Sequence, residues 1–271
     1  GIEAEHLLGC GECRLCLDGQ YHLCVDRGMR HGVRQGSHGF SQYDVCVSEN
    51  VTVLPDDVSF DAAALVDCYA CGVHAMNRMP NVAGQSVAII GAGAIALALG
   101  QVLKANHASQ VILIGTREQS VELAIAASSA DVGVVTANED VVSAVLAATG
   151  GDGVAVTFET VGGQSQLIQQ AVEMTRRGGV VSVLGLFTKP QAIDPVMAME
   201  HEISIQWSNS FSSWNGEREF ITALDLLVSG KLNPEPIVTH HFGIHEIAEA
   251  FATADEKQVS GAVRVIVTPW G

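Results

Sequence analysis

A doubly wound parallel α/β sheet, enclosed by a discontinuous β-rich domain, is the fold this sequence predicts, and three observations predict it. From about Gly84 the chain repeats one unit: a short β-branched run, a glycine-containing turn and an amphipathic helix. Aliphatic residues, Ala and Gly dominate, with 28 Gly, 48% hydrophobic and only 5% aromatic residues. That composition suits Val/Ile-rich strands covered on both faces by Ala-rich helices. The flanks read differently, because residues 1–60 are Gly-, Cys- and His-containing loops with short alternating strands, and 235–271 return to that style. A chain of 271 residues accommodates two domains and buries well over half of its unfolded surface.

The strand candidates of the repeating block are Val87–Ile90, Val111–Ile114, Asp131–Val135, Val154–Phe158, Val180–Leu184 and Ile203–Trp207. Six such runs alternating with helices predict a Rossmann-type sheet. The helices are predicted at Ala94–Asn106, Glu118–Ser129, Glu139–Thr149 after an Asn138 cap, and Gln164–Arg177, which should end at Gly178-Gly179. Phe220, Ile221, Leu224, Leu227 and Val228 form a further helical stripe that stops at Gly230. In the flank, Tyr43–Val47 and Val51–Leu54 alternate as strands. The domains are accordingly expected at residues 1–71, 72–232 and 233–271, the first and last forming one discontinuous body.

Composition also excludes partners. Fourteen Lys and Arg against thirty Asp and Glu give a formal charge of −16, a field that repels nucleic acid and anionic membrane and leaves a small molecule as the favoured partner. The most apolar stretch, Val87 to Leu103, is shorter than the ~20 residues a spanning helix needs and is interrupted by glycines. No secretory signal is expected, since no basic region precedes an apolar core. Seven cysteines are an odd number for a disulfide framework, and four of them lie too close together to staple distant segments, so a reducing, cytoplasmic location is expected.

The first turn of the block, Gly91-Ala92-Gly93-Ala94-Ile95-Ala96, is a G-x-G-x-x-A after a strand and at the start of a helix. Gly91 permits the tight turn, Gly93 lets backbone N–H groups approach a pyrophosphate, and small Ala96 lets helix and sheet pack closely. Dinucleotide binding is the leading reading; a methyltransferase-like nucleotide site is the alternative. The second strand ends Ile114-Gly115-Thr116-Arg117 with no acid at its tip. A carboxylate there would hold the ribose hydroxyl of NAD and repel the 2′-phosphate of NADP, whereas a glycine leaves room and a guanidinium pairs with the phosphate. NADP is therefore preferred over NAD, although Arg117 at a helix start is equally the place for a solvated surface residue.

Near the start stands GCGECRLCLDGQYHLC, four cysteines spaced C-x2-C-x2-C-x7-C. Four thiolates fill a tetrahedral Zn2+ site and leave no open position, so such a site holds a loop and performs no catalysis. Unmetallated buried thiols are the plain alternative. A nucleic-acid-binding zinc ribbon is disfavoured by four Arg and no Lys against five acids in residues 1–40. A third feature, LVDCYACGVHAM, carries Asp67, Cys68, Cys71 and His74 as possible ligands, though cysteines at the start of an apolar helix are mostly core residues.

The cysteine motif, then GSHGFSQYDVCVSENVTVLPDDVSFDAAALVD, then GAGAIALALG stand in one order, followed by ETVGG, VSVLGLF, GKL and a closing GAVRVIVTP. Together they resemble the zinc-containing medium-chain dehydrogenase/reductase family of alcohol, polyol, butanediol and threonine dehydrogenases, over essentially the whole chain. The resemblance implies a GroES-like catalytic domain around a nucleotide-binding domain. It implies that Cys10, Cys13, Cys16 and Cys24 hold a structural Zn2+, that Asp67 is the last protein ligand of a separate catalytic zinc, and that Arg264 reaches the cofactor pyrophosphate. Gly115-Thr116-Arg117 resembles the tip of NADP-dependent microbial secondary-alcohol dehydrogenases.

The family's catalytic-zinc cysteine, His-Glu pair and proton-relay residues, which precede the cysteine lobe, have no counterpart in the sequence, and His6 lies too close to Cys10 to replace them. The expectation is an oxidoreductase for a secondary alcohol, polyol or ketone whose catalytic site is incomplete in these 271 residues. A non-catalytic nucleotide-binding or regulatory remnant is the first alternative, and a zinc-independent reductase the second. By the same analogy the chain pairs into a dimer or tetramer through Ile203–Trp207.

Overall fold

A computed structural model of the chain describes residues 1–5, 9–26, 29–30, 33–34 and 39–270. It divides into two compact units, Cys71–Asn209 and a discontinuous one made of Gly1–Ala70 and Ser210–Gly271.

The first of these is the predicted sheet. Its strands are β1 (Ser86–Ile90), β2 (Gln110–Gly115), β3 (Val132–Val135), β4 (Val154–Glu159), β5 (Thr175–Val183) and β6 (Ser204–Trp207). They are parallel and lie in the order β6-β5-β4-β1-β2-β3, so the winding reverses between β1 and β4. Alternate residues of each strand face opposite layers. Ala88, Ile90, Ile112, Ile114, Val181 and Val183 join Val141, Val145, Ile168 and Val172 in one apolar cluster. Val87, Ile89, Val111 and Leu113, facing the other way, are equally inaccessible. Burial on both faces is why these strands read as continuous apolar runs.

The helices α1 (Ala94–Ala105), α2 (Glu118–Ala126), α3 (Val141–Ala148) and α4 (Ile168–Met174) follow the predicted order. Several of their limits differ from the sequence reading, with α2 stopping at Ala126 rather than Ser129 and α4 starting at Ile168 rather than Gln164. Helix α3 starts two residues late because Asp140, not Asn138, is the cap: its Oδ1 accepts the Ser143 N–H at 2.8 Å. Helix α4 stops well before Gly178-Gly179. The Thr175 hydroxyl bonds the Ala171 carbonyl and the buried Thr157 hydroxyl, each at 2.7 Å, and draws the chain into β5 five residues before the expected start at Val180.

In the discontinuous unit, Ile2–Ala4 pairs antiparallel with Val51–Val53, and Val238–Gly243 pairs parallel with Arg264–Thr268. The predicted strand Tyr43–Val47 is not formed. Alternation makes a strand only where a neighbour supplies the ladder, and among the described residues none does; Tyr43 and Val45 are exposed. The boundary expected at 232/233 lies at 209/210. Residues 210–232 are tied to the cysteine-containing segment, with the Ser213 N–H on the Gly19 carbonyl at 3.0 Å and the Ser212 hydroxyl on the same carbonyl. Buried Glu5 completes this tie. It accepts the Tyr21 hydroxyl at 2.6 Å and pairs with the Arg218 guanidinium, and its negative charge together with burial raises the Tyr21 phenol above its usual range. No described helix is long and apolar enough to cross a membrane.

Two mutations test this packing. Gly100, inside α1, has the Ser129 carbonyl oxygen where a Cβ would be. Alanine gains about 1 kcal/mol of helix propensity, but the steric conflict costs about 1–3 kcal/mol, so Gly100→Ala should lower the urea midpoint; a raised midpoint would contradict the packing. Arg218→Leu leaves the Glu5 carboxylate buried and unpaired and should destabilise by about 3 kcal/mol, measured by the same denaturation; a loss below about 0.5 kcal/mol would show that the pair is held no more tightly than a surface one.

Candidate cofactor site and metal centre

The parallel register aligns the strand ends: Ile114, Ile90, Glu159 and Val183 lie side by side at the carboxyl edge of β2, β1, β4 and β5. In doubly wound sheets ligands sit outside this edge at the point where the winding reverses. The turn leaving β1 lies at that point. Gly91 has φ of 122°, a region open to glycine, and the Thr160 hydroxyl, donating to the Ile90 carbonyl at 2.8 Å, occupies the place of a Cβ. At Gly93 a Cβ would meet nothing within 4 Å, so the backbone is open to an approaching group. Gly93 also caps α1 without a side-chain hydrogen bond, which leaves the first-turn N–H groups around Ala94 and Ile95 to an anion, while Ala96 is buried against the sheet. These features fit a pyrophosphate.

At the tip of β2 a Cβ on Gly115 would lie 2.7 Å from Val121 Cγ2 and 3.1 Å from Ala92 Cβ, so its smallness serves the packing of α2 and the β1 turn. Thr116 beyond it is exposed, and Arg117 is the N-cap of α2.

The four cysteines meet as the spacing predicted. Their sulfur atoms all lie within 4.8 Å of one another, with Cys10–Cys16 at 3.9 Å, Cys13–Cys16 at 3.5 Å and Cys13–Cys24 at 3.9 Å. A tetrahedron of sulfurs at about 2.3 Å from zinc has edges of about 3.8 Å, so the donor set has the size of a Zn2+ site. The short helix Arg14–Leu17 sets Cys16 one turn beyond Cys13, and Tyr21–Leu23 turns Cys24 back onto them. Backbone N–H groups of Glu12 and Cys13 point at Cys10 Sγ at 3.5 and 3.4 Å and bring its thiol down to about 7. Burial pushes Cys16 up to about 12.

Asp67 stands in the first turn of the helix Val66–Asn77 and is half-buried. Neighbouring Cys68 is a core thiol, pushed up to about 11 by burial, and Cys71 and His74 follow along the same helix. Among the described residues, no group of three or more His, Cys, Asp or Glu other than the cysteine cluster converges closely enough to hold a metal. His6 lies outside the described residues. Arg264, on Arg264–Thr268, donates to the Ala64 carbonyl at 2.8 Å. One residue that composition and spacing did not single out is Glu159, fully buried at the end of β4. Its signal is an acid closing the apolar run Val154–Phe158 directly before Thr-Val-Gly-Gly.

A zinc-binding dehydrogenase profile matches residues 94–229. The sorbitol dehydrogenase of Halalkalibacterium halodurans is 30% identical over 262 residues, 96% of this chain and 73% of that protein. The L-threonine 3-dehydrogenase of Pyrococcus furiosus is 32% identical over 252 residues, 92% of this chain and 70% of that one. Among solved structures, the 2R,3R-butanediol dehydrogenase of Bacillus subtilis superposes with a TM-score of 0.83 at 25% identity, covering 99% of this chain and 73% of that chain. With the open turn after β1 and the four convergent sulfurs, these matches identify the chain as a member of the zinc-binding dehydrogenase family of oxidoreductases.

Proposed function

We propose that the chain binds a nicotinamide dinucleotide, NADP in preference to NAD, across the carboxyl edge of its sheet, and that its cysteine lobe holds one structural Zn2+. The observation that carries this reading is the uncapped start of α1 behind the open Gly93. Gly91, Gly93, Ala94 and Ile95 would hold the pyrophosphate through backbone N–H groups. Thr116 and Arg117 would hold the 2′-phosphate, a guanidinium on a phosphate being among the stronger pairs available to a protein. Arg264 is proposed as a further pyrophosphate contact. The bound nicotinamide supplies hydride chemistry to a secondary alcohol, polyol or ketone; this chain's residues bind and orient it.

A catalytic zinc needs three protein donors and an open place. Asp67 is one carboxylate, and the described residues do not bring two more donors to it. These 271 residues by themselves are proposed to bind cofactor with little turnover. Partnering is proposed through β6, an edge strand on which Trp207 is 62% exposed; a dimer or tetramer would pair two such edges.

Titration by cofactor fluorescence tests the binding. NADPH should bind at least threefold more tightly than NADH, and Arg117→Ala should cost NADPH about 1.5–3 kcal/mol, as for a hydrogen bond to a charged group, while NADH stays within about twofold. Equal loss for both would sink Arg117 as the discriminating residue. Incubation with sorbitol, butane-2,3-diol or threonine and NADP should give no rate above background; steady turnover would refute the inactivity. For the lobe, Cys16→Ser or exhaustive chelation should lower the thermal midpoint by roughly 5–10 °C, the equivalent of a few kcal/mol in a chain of this size. An unmoved midpoint under both treatments would mean that the sulfurs hold no metal.

A further inference from the structure

We infer that Glu159 is a positioning residue for the nicotinamide half of the dinucleotide, an assignment that rests on the cofactor-binding reading above. Its side chain is 0% exposed, yet it closes a strand at the ligand-facing edge of the sheet. Carboxylate Oε1 accepts two N–H groups of the turn that follows, from Val161 at 2.7 Å and Gly162 at 2.9 Å. The main-chain carbonyl of the same residue accepts the N–H groups of Leu184 at 2.8 Å and Gly185 at 3.1 Å, from the turn that leaves β5. One residue thus fixes both turns.

The two turns are also locked to each other. Gly163 N–H donates to the Leu186 carbonyl and Thr188 N–H to the Gly163 carbonyl, both at 2.8 Å. Gly162, at φ of 61°, lies so close to Gly185 and Leu186 that a Cβ would strike their backbone. At Gly185 a Cβ would strike Oε2 of Glu159, an atom that is buried without a hydrogen-bond partner. Burial raises this carboxyl, against the N–H groups of Gly162, Val161 and Gly185, which lower it. A group so costly to bury is retained where its acceptors set geometry.

What that geometry serves follows from the winding. The half-sheet β1-β2-β3 carries the pyrophosphate turn and the Thr116-Arg117 tip, hence the adenosine half, and β4-β5-β6 faces the other half of a dinucleotide laid across the reversal. The Glu159 turns present half-exposed Val161 and exposed Leu186 on that second side. They meet the turn after β1 through Thr160, whose N–H and hydroxyl both bond the Ile90 carbonyl, and through Val161, whose Cγ2 lies beside Gly91.

The test compares two probes on the full chain, NADPH and adenosine 2′,5′-bisphosphate, by fluorescence and calorimetric titration. Glu159→Leu, which strands two N–H donors, should raise the NADPH Kd by about tenfold or more, the scale of an unsatisfied buried group. Its Kd for the bisphosphate should stay within about twofold of the parent's. Glu159→Gln keeps an oxygen for Val161 and Gly162 and should bring NADPH back to within about threefold, whereas Glu159→Asp, one methylene short, should resemble the leucine variant. The aspartate variant carries the test if leucine prevents folding. NADPH binding that is unchanged in both the leucine and aspartate variants overturns the assignment, as does equal weakening of both probes or a glutamine variant no better than leucine. A parent protein that binds neither probe overturns the cofactor reading and this assignment with it, an outcome distinct from the others.

Discussion

A parallel sheet covered on both faces leaves little but its strand ends for chemistry, and this constraint organises the molecule. Ladder hydrogen bonds and helices take up the sides of the strands. Ile114, Ile90, Glu159 and Val183 arrive together at one edge, so the residues this unit offers to a cofactor come from the turns that leave them. The turns there are held by backbone, hydroxyl and apolar contacts alike. Thr160 fills the space over Gly91, Val121 and Ala92 close on Gly115, and Gly162 lies against Leu186. Glycines in these turns are required by their neighbours, as Gly115 is by Val121 and Ala92.

The cysteine lobe obeys another constraint. Four sulfurs separated by 3.5–3.9 Å where measured repel as thiolates and pack poorly as thiols, and a tetrahedral cation resolves both. The lobe is attached to the rest of its unit by polar contacts: Tyr21 and Arg218 on Glu5, and Ser213 on Gly19. Because Glu5 is buried with its charge, loss of either partner is felt more than loss of a surface pair.

Much of this was legible in the residues. The six strands emerged because a buried parallel strand writes itself as an unbroken apolar run, and the cysteine site because its ligands are close in sequence. Helix limits at Asp140 and Thr175 were misplaced because side chains that compete for backbone groups decide them. The segment Tyr43–Val47 alternates like a strand, but a strand exists only with a partner, and partners are not local. Glu159 escaped for a related reason: its importance lies in which turns it joins, Val161-Gly162 and Leu184-Gly185, and that juxtaposition is created by the β4–β5 register. Resemblance to a family supplied roles for Asp67 and Arg264 that spacing alone did not.

The central claim is that this chain combines a dinucleotide-binding sheet with a single closed zinc site. The measurement that tests it most directly is zinc per chain, by elemental analysis on protein of verified intact mass. The account predicts a ratio near one. A ratio near two would mean that further donors complete a metal site around Asp67, and a ratio near zero that the four sulfurs stand together without a cation; either would contradict it.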